Sequence, residues 1–394
     1  MMPMQPPVDP WLSRFAKLLV VATFCLIFLG GMVTSLGAGL SVPDWPTSYG
    51  YNMFTFPITR WVGGIRFEHT HRLLATVVGL LTSVLAAWTW RNWKALAIGL
   101  LISVLATGAA GIGLKHLPAL AGPAHELTRG LIIMHVNIWS FAISFVILLL
   151  TTGRERSRHG APWVQWLVFA AFLLVCVQGT LGGLRVTEVS IVLAMIHACT
   201  AQAFMCLTVA IATGLSPRWN TADAFPTRAS RRGIPTVRAL AWTLFGAIYC
   251  QLIVGAIMRH LHAGLAIPTF PLAFGMWIPP MLNGRVAIHF AHRVGALVVT
   301  LLTLALTTFI FTSARSHKRL THSVLGLVGT VILQIGLGAY VIWSGRDPVI
   351  TSLHVVNGAV VLGKALLLAM RATKLNTLMQ PETAPWTHYQ EAHA

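Results

Sequence analysis

The sequence predicts an all-α integral membrane protein with about ten transmembrane helices. They are expected as two pseudo-symmetric four-helix bundles plus an inserted helical hairpin, with both termini cytoplasmic. Three observations carry that prediction. Hydrophobic residues make up 56% of the 394-residue chain and charged residues only 10%, against roughly 25% charged in an ordinary globular protein. Such a surface is solvated by lipid. Ten apolar runs are each long enough to cross a core of about 30 Å at about 1.5 Å per helical residue. Finally, a stretch near the first run recurs in the second half of the chain.

The runs cover 17–37, 70–90, 94–114, 127–150, 163–184, 189–213, 237–258, 287–311, 320–343 and 350–370. Each is expected to be helical, because lipid leaves open backbone without hydrogen-bond partners and the alternation of a barrel is absent. Basic residues orient them. With the N-terminus inside, the inner segments hold Arg14 and Lys17, Arg91 and Lys94, then Arg154, Arg156 and Arg158. Arg218, Arg228, Arg231, Arg232 and Arg238, then Arg315, Lys318 and Arg319, then Arg371 and Lys374 follow. The outer loops are poorer in such residues despite two being long, which places both termini in the cytoplasm. The formal net charge of +18 is therefore a topology signal and not a nucleic-acid site.

The first run has the flanks of a cleaved signal peptide. However, Gly30–Pro46 aligns without gaps on Gly255–Pro271, and that second copy follows an internal run, so the first is expected to be retained. The repeat continues. His71-Arg72 opens the second run and His292-Arg293 the eighth. Gln178-Gly179-Thr180-Leu181-Gly182-Gly183 is echoed by Gln334-Ile335-Gly336-Leu337-Gly338-Ala339, and His197 and His354 follow about twenty residues later. Two parallel repeats of a four-helix unit account for this pattern. The first contains about 64 extra residues between its histidines, the size of one hairpin, 94–150. The expected organisation is an N-terminal half at 1–215 containing that hairpin, a basic linker at 216–236, a C-terminal half at 237–372 and a cytoplasmic tail at 373–394.

His71, His197, His292 and His354 all lie on even-numbered runs, close to the outer face. A single intramembrane histidine is often just bonded to a neighbouring helix. Four at repeat-equivalent positions point to ligands, since ionisable groups in lipid are costly and usually functional. Haem, zinc and copper all accept imidazole. Zinc normally recruits further Cys, Asp or Glu ligands, whereas two imidazoles facing each other across a bundle suit bis-histidine haem. Gly179, Gly182, Gly183, Gly336 and Gly338 either leave room for a flat macrocycle or let helices pack closely. Arg72 and Arg293 are candidate partners for haem propionates, the alternative being snorkelling to the interface. Glu68 precedes His71 by one turn on the same face, where the C-terminal half has His289. A carboxylate at one site only marks the N-terminal site as reactive through proton transfer or charge stabilisation, unless Glu68 merely caps its helix.

The Gly37–Pro46 loop, the Glu-x-x-His-Arg element at Glu68–Arg72 and the paired His197 and His354 resemble the haem A synthase family over nearly the whole chain except 94–150. The resemblance implies an oxidoreductase of the bacterial cytoplasmic membrane. It would oxidise a methyl group of haem O to the formyl group of haem A for the terminal oxidase, by two hydroxylations and loss of water. It also implies that His71 and His197 hold haem O or haem A, that His292 and His354 hold a haem b that relays electrons, and that Glu68 is the essential acid. Implied partners are haem O, a haem O synthase, an electron donor, lipid and further copies of the chain. Two features depart from the family. Many members carry a cysteine pair where this chain has Val42 and Ser48, and its five cysteines all lie in apolar runs. The hairpin 94–150 also brings His135, an alternative to His197 as ligand. His116, His125, His260 and His262 are expected at the interface. The competing readings are a di-haem b-type cytochrome that only transfers electrons, and a transporter, for which broken mid-membrane helices are not evident.

Overall fold

The computed structural model describes residues 9–90, 92–120, 126–152, 162–220, 233–314 and 317–379. The helices among them are α1 (Pro10–Ser35), α2 (Gly63–Thr89), α3 (Trp93–His116), α4 (Glu126–Thr152), α5 (Pro162–Thr187), α6 (Ile191–Gly214), α7 (Pro217–Asn220), α8 (Ile234–His260), α9 (Gly284–Ser313), α10 (Lys318–Trp343) and α11 (Pro348–Met379). All but α7 are long and apolar enough to cross a membrane, and these ten answer the ten apolar runs one for one. The chain is a multi-pass membrane protein.

Short polar side chains start these helices by accepting otherwise orphaned N–H groups. Asp9 accepts from Trp11 ahead of α1, Asn92 from Ala95 ahead of α3, Ser190 from Leu193 ahead of α6 and Asn283 from Val286 ahead of α9. Hydroxyls inside the spans turn back on their own helix, as lipid requires. Thr82 donates to the Val78 carbonyl and its repeat counterpart Thr303 to that of Val299, both at 2.7 Å.

The helix ends differ from the sequence-based boundaries where polar side chains find partners. Helix α2 begins at Gly63, well before 70, so Glu68–Arg72 are inside the helix with their polar groups turned onto the preceding loop. Helix α11 runs to Met379, past the expected boundary at 372 and into the expected tail, with Arg371 donating to Ser323 and Lys374 to the Trp219 carbonyl. The central part of the linker (221–232), the rest of the tail (380–394), His125 and the orienting residues Arg91, Arg154, Arg156, Arg158 and Arg315 lie outside the described residues.

Helices α1, α2, α5 and α6 pack in a closed ring, each on the next, and α8, α9, α10 and α11 form a second. The rings join where α1 and α6 meet α11 and α6 meets α8. Helices α3 and α4 pack chiefly on each other and reach the first ring only through α2 and α5.

The apolar core fills only one end of each ring. In the first it is made by Leu12, Leu19, Leu85, Val168, Phe172 and Ile211, in the second by Leu244, Leu306, Leu327, Leu362 and Leu368. These residues stand at the starts of the odd-numbered α1 and α5 and of α8 and α10, and towards the ends of their neighbours. The opposite end, which carries the long loops 36–62 and 261–283, holds all four histidines; the second cluster touches it only through Val355 and Val356, and a small cluster of Ile267, Ala273 and Val286 lies there.

The seam between the rings needs a missing side chain. A Cβ on Gly31 of α1 would sit 3.0 Å from that of Ser352 on α11. Replacing Gly31 with leucine should therefore cost about 1–3 kcal/mol. Thermal unfolding in detergent checks this, with Gly79→Ala, whose added Cβ meets nothing within 4 Å, as the unaffected control.

Candidate functional site

Each of the four histidines lies over a glycine of the preceding helix of its ring. A Cβ on Gly30 would stand 3.1 Å from Cε1 of His71, on Gly182 3.3 Å from that of His197, on Gly255 3.0 Å from that of His292 and on Gly338 3.1 Å from that of His354. The four contacts occupy repeat-equivalent places, so the small residue is the seat of the ring. Of the other glycines in the two motifs, Gly179 faces Ile138 of α4 and Gly183 is covered by the Trp45 indole. Those two therefore serve close packing. His135 stands on α4, whose packing partners are α3 and α5, outside the first ring.

The two long loops share one backbone frame. Trp45-Pro46 and Phe270-Pro271 are cis. An isolated bridge joins Ser48 to Tyr51, and its counterpart joins Ala273 to Met276. Gly50 and Gly275 take the left-handed conformation that glycine adopts without a Cβ clash.

Arginines hold both loops in place. Arg72 Nη1 donates to the carbonyls of Asp44 (2.7 Å) and Thr47 (3.1 Å), and its Nη2 to that of Val42 (2.7 Å) and to Glu68 Oε1 (2.8 Å). Arg293 repeats the grip on Ile267, Thr269 and Leu272, at 3.1, 2.6 and 3.3 Å. The Nη groups of each arginine thus hold its own loop in place, while Nε of Arg293 is buried without a partner.

Glu68 is buried, and its second oxygen accepts the Val42 N–H at 2.9 Å. In the other half the equivalent N–H, of Ile267, is accepted by His289 Nδ1 at 3.2 Å. The two residues thus do the same structural work, and only Glu68 brings a carboxylate. Beside it, His69 is fully buried between Phe56 and Trp61, with Nδ1 3.1 Å from Ser48 Oγ. The counterparts Phe290 and Ala273 are apolar and pack together. In the loop itself, burial alone would push the Asp44 carboxyl up. The Gly50 N–H, the Thr47 hydroxyl and the Tyr49 N–H outweigh that effect and hold it below its ordinary value.

Glutamines separate the two halves further. Gln251 Nε2 lies 3.0 Å from His292 Nδ1 and 2.7 Å from the His292 carbonyl. Gln334 Nε2 lies 3.2 Å from His354 Nε2 and 3.0 Å from that residue's carbonyl. In the N-terminal half the counterpart of Gln251 is Leu26. Gln178 reaches the His197 carbonyl and Thr200 Oγ1 but not the ring; Nδ1 of His71, His197 and His354 alike is buried without a partner. No sequence motif drew attention to Gln251; its signal is the mismatch with Leu26 in the repeat.

The donor set suits a flat metal macrocycle. Among the described residues no three His, Cys, Asp or Glu side chains converge. The His292 and His354 ring centres are 6.4 Å apart. Two metal–imidazole bonds of about 2 Å, plus about 1 Å from each bonded nitrogen to its ring centre, require about 6 Å. The five cysteines are all free.

The family model described as cytochrome oxidase assembly protein (COX15-CtaA) matches residues 128–366. The chain belongs to this family. Among curated relatives, a protein of Halalkalibacterium halodurans named heme A synthase is 24% identical over 87% of this chain and 91% of its own. A heme A synthase of Shouchella clausii is 24% identical over 92% and 94%. One from Symbiobacterium thermophilum is 36% identical over 38% of this chain and 49% of its own. For a member of the cytochrome oxidase assembly protein family, the site is thus a doubled frame in which one half carries a buried carboxylate.

Arg72→Ala should destabilise the protein by about 3–5 kcal/mol, because Glu68 is then a buried charge without its partner. Arg293→Ala, which breaks no ion pair, should cost about 1–3 kcal/mol. Thermal unfolding of the two variants in parallel measures the difference. Asp44 adds a pH dependence. Its depressed pKa stabilises the folded loop above the ordinary aspartate value of 3.8, and that contribution is lost as pH falls from there through the lower folded value. Limited proteolysis of the 36–62 loop at pH 7 and pH 3 should show release only at the lower pH, and Asp44→Asn should abolish the difference.

Proposed function

We propose that the protein is a haem A synthase that oxidises a methyl group of haem O to the formyl group of haem A for assembly of the terminal oxidase. The observation that carries this reading is the doubled imidazole-on-glycine seat with a carboxylate in one copy only, in a chain whose full-length relatives bear that name. The N-terminal ring, with His71 and His197, takes haem O as substrate and releases haem A. The C-terminal ring, with His292 and His354, holds a haem b. That resident haem supplies one-electron transfer when bound. The chain lies in the bacterial cytoplasmic membrane with both termini inside and the histidine end facing outward.

Two asymmetries support this division of labour. The methyl-to-formyl conversion removes electrons and protons, and Glu68 stands one turn from His71 as the acid–base group, held in place by Arg72 and the Val42 N–H. In the C-terminal half the amide nitrogens of Gln251 and Gln334 stand against the rings of His292 and His354. The N-terminal imidazoles meet no such amide. A resident cofactor benefits from a fixed ligand, whereas a substrate and product that must enter and leave benefit from a looser one. A haem b cytochrome without catalysis would have no use for either asymmetry.

The test is haem extraction and mass analysis of the purified protein, where haem b together with haem O or haem A is expected; protohaem alone would overturn the reading. Glu68→His copies the C-terminal frame, since histidine accepts the same loop N–H. This variant should keep its low-spin spectrum and accumulate haem O or a hydroxylated product, while unchanged haem A output would remove Glu68 from the chemistry.

A further inference from the structure

A row of arginines, with one histidine between two of them, crosses the histidine end from one ring to the other without an acid bonded to it. Arg185, near the end of α5, is within electrostatic reach of both His71 and His197. His260, the last residue of α8, is within reach of Arg185 on one side and Arg259 on the other. Arg259 is in turn within reach of Arg346 and of His354. Among the described residues the ion pair Arg72–Glu68 stands alone. Glu68 also lies within reach of Arg185, but both its oxygens are already held. Asp44 is spent on its own loop, and Asp347 accepts the Val349 and Ile350 N–H groups at the start of α11.

Arg259 is the most informative member. Its Nη2 donates to the Gly31 carbonyl and to Ser35 Oγ of α1, both at 2.6 Å, while its Nε is buried with no partner. A snorkelling arginine turns its head towards water, whereas this head points inward, into the seam between the rings. Arg185 is similarly placed: Nη2 donates to the Gly39 carbonyl at 3.0 Å, and Gly39 has no Cβ to push it away. Arg346, from a different place in the repeat, lies against Gly264, the counterpart of Gly39. Half-buried guanidiniums that no carboxylate bonds are costly at a membrane helix end, and their planar forks match carboxylates in pairs.

We propose that Arg185, Arg259 and Arg346 form an anion shelf for the carboxylates of the two porphyrins, with Arg185 serving the N-terminal macrocycle and Arg259 the C-terminal one. The proposal rests on the haem reading above and adds these arginines to Arg72 and Arg293, whose Nη groups already donate to their own loops. A phospholipid headgroup would offer a similar anion, so the test separates the two sources.

Full-length protein made in a haem-deficient host is titrated with protohaem and with its dimethyl ester, and the Soret band reports binding. The wild type should bind the free acid about ten- to a hundredfold more tightly than the ester. Arg185→Gln and Arg259→Gln should each weaken binding of the acid at one of the two sites by that factor and leave the ester unchanged. Arg259→Lys, which keeps the charge, guards against misfolding and should lose less. Equal affinity of the wild type for acid and ester would overturn the shelf while leaving haem binding intact. So would variants that weaken both forms alike, or variants that lose bound phospholipid but keep full preference for the acid. Failure of the wild type to bind either form would overturn the haem reading itself, and the shelf with it.

Discussion

A guanidinium in a membrane helix has little water to turn to, and in both halves of this chain it turns to the carbonyls of the loop before its own helix. Arg72 gathers three backbone oxygens and Arg293 four, from positions that sequence separates by more than twenty residues. The loops then cover the end of each ring that the apolar core leaves unfilled. Without that grip, the carbonyls of Val42, Asp44 and Thr47 would need other donors in surroundings that offer few. The covering of the histidine end thus follows from one repeated interaction.

On this common frame, a few substitutions separate the halves. Glu68 and His289 accept the same loop N–H, yet one brings a negative charge and the other does not. Leu26 leaves the His71 ring without the amide that Gln251 gives to His292. Ser48 and His69 form a polar pair where Ala273 and Phe290 pack as hydrocarbon. Because the backbone is so nearly repeated, each difference reads as a difference in chemistry rather than in architecture. The N-terminal copy is the more charged, and no side-chain amide meets its imidazoles.

Much of this was legible in the linear chain. Ten apolar runs became ten long helices because lipid allows few other solutions for the backbone, and the repeat carried the four histidines to equivalent places. The roles of their neighbours were not legible. Arg72 and Arg293 look like ligand-binding residues by adjacency, but a side chain one position along a helix points about 100° away from the histidine. Gly179, Gly182 and Gly183 look alike in a motif, yet one meets α4, one seats His197 and one lies under Trp45. Arg185, Arg259 and Arg346 are far apart in sequence, and nothing in their spacing foretells that they share one end of the molecule.

The sequence by itself determined what depends on local composition and period: helices, their number, the repeat, and which residue types sit near the ends of the spans. Only the tertiary structure decided which polar group each side chain meets. Those meetings are made across helices and loops distant in the chain, and in an apolar medium each donor must find its acceptor wherever the packing brings one within about 3 Å.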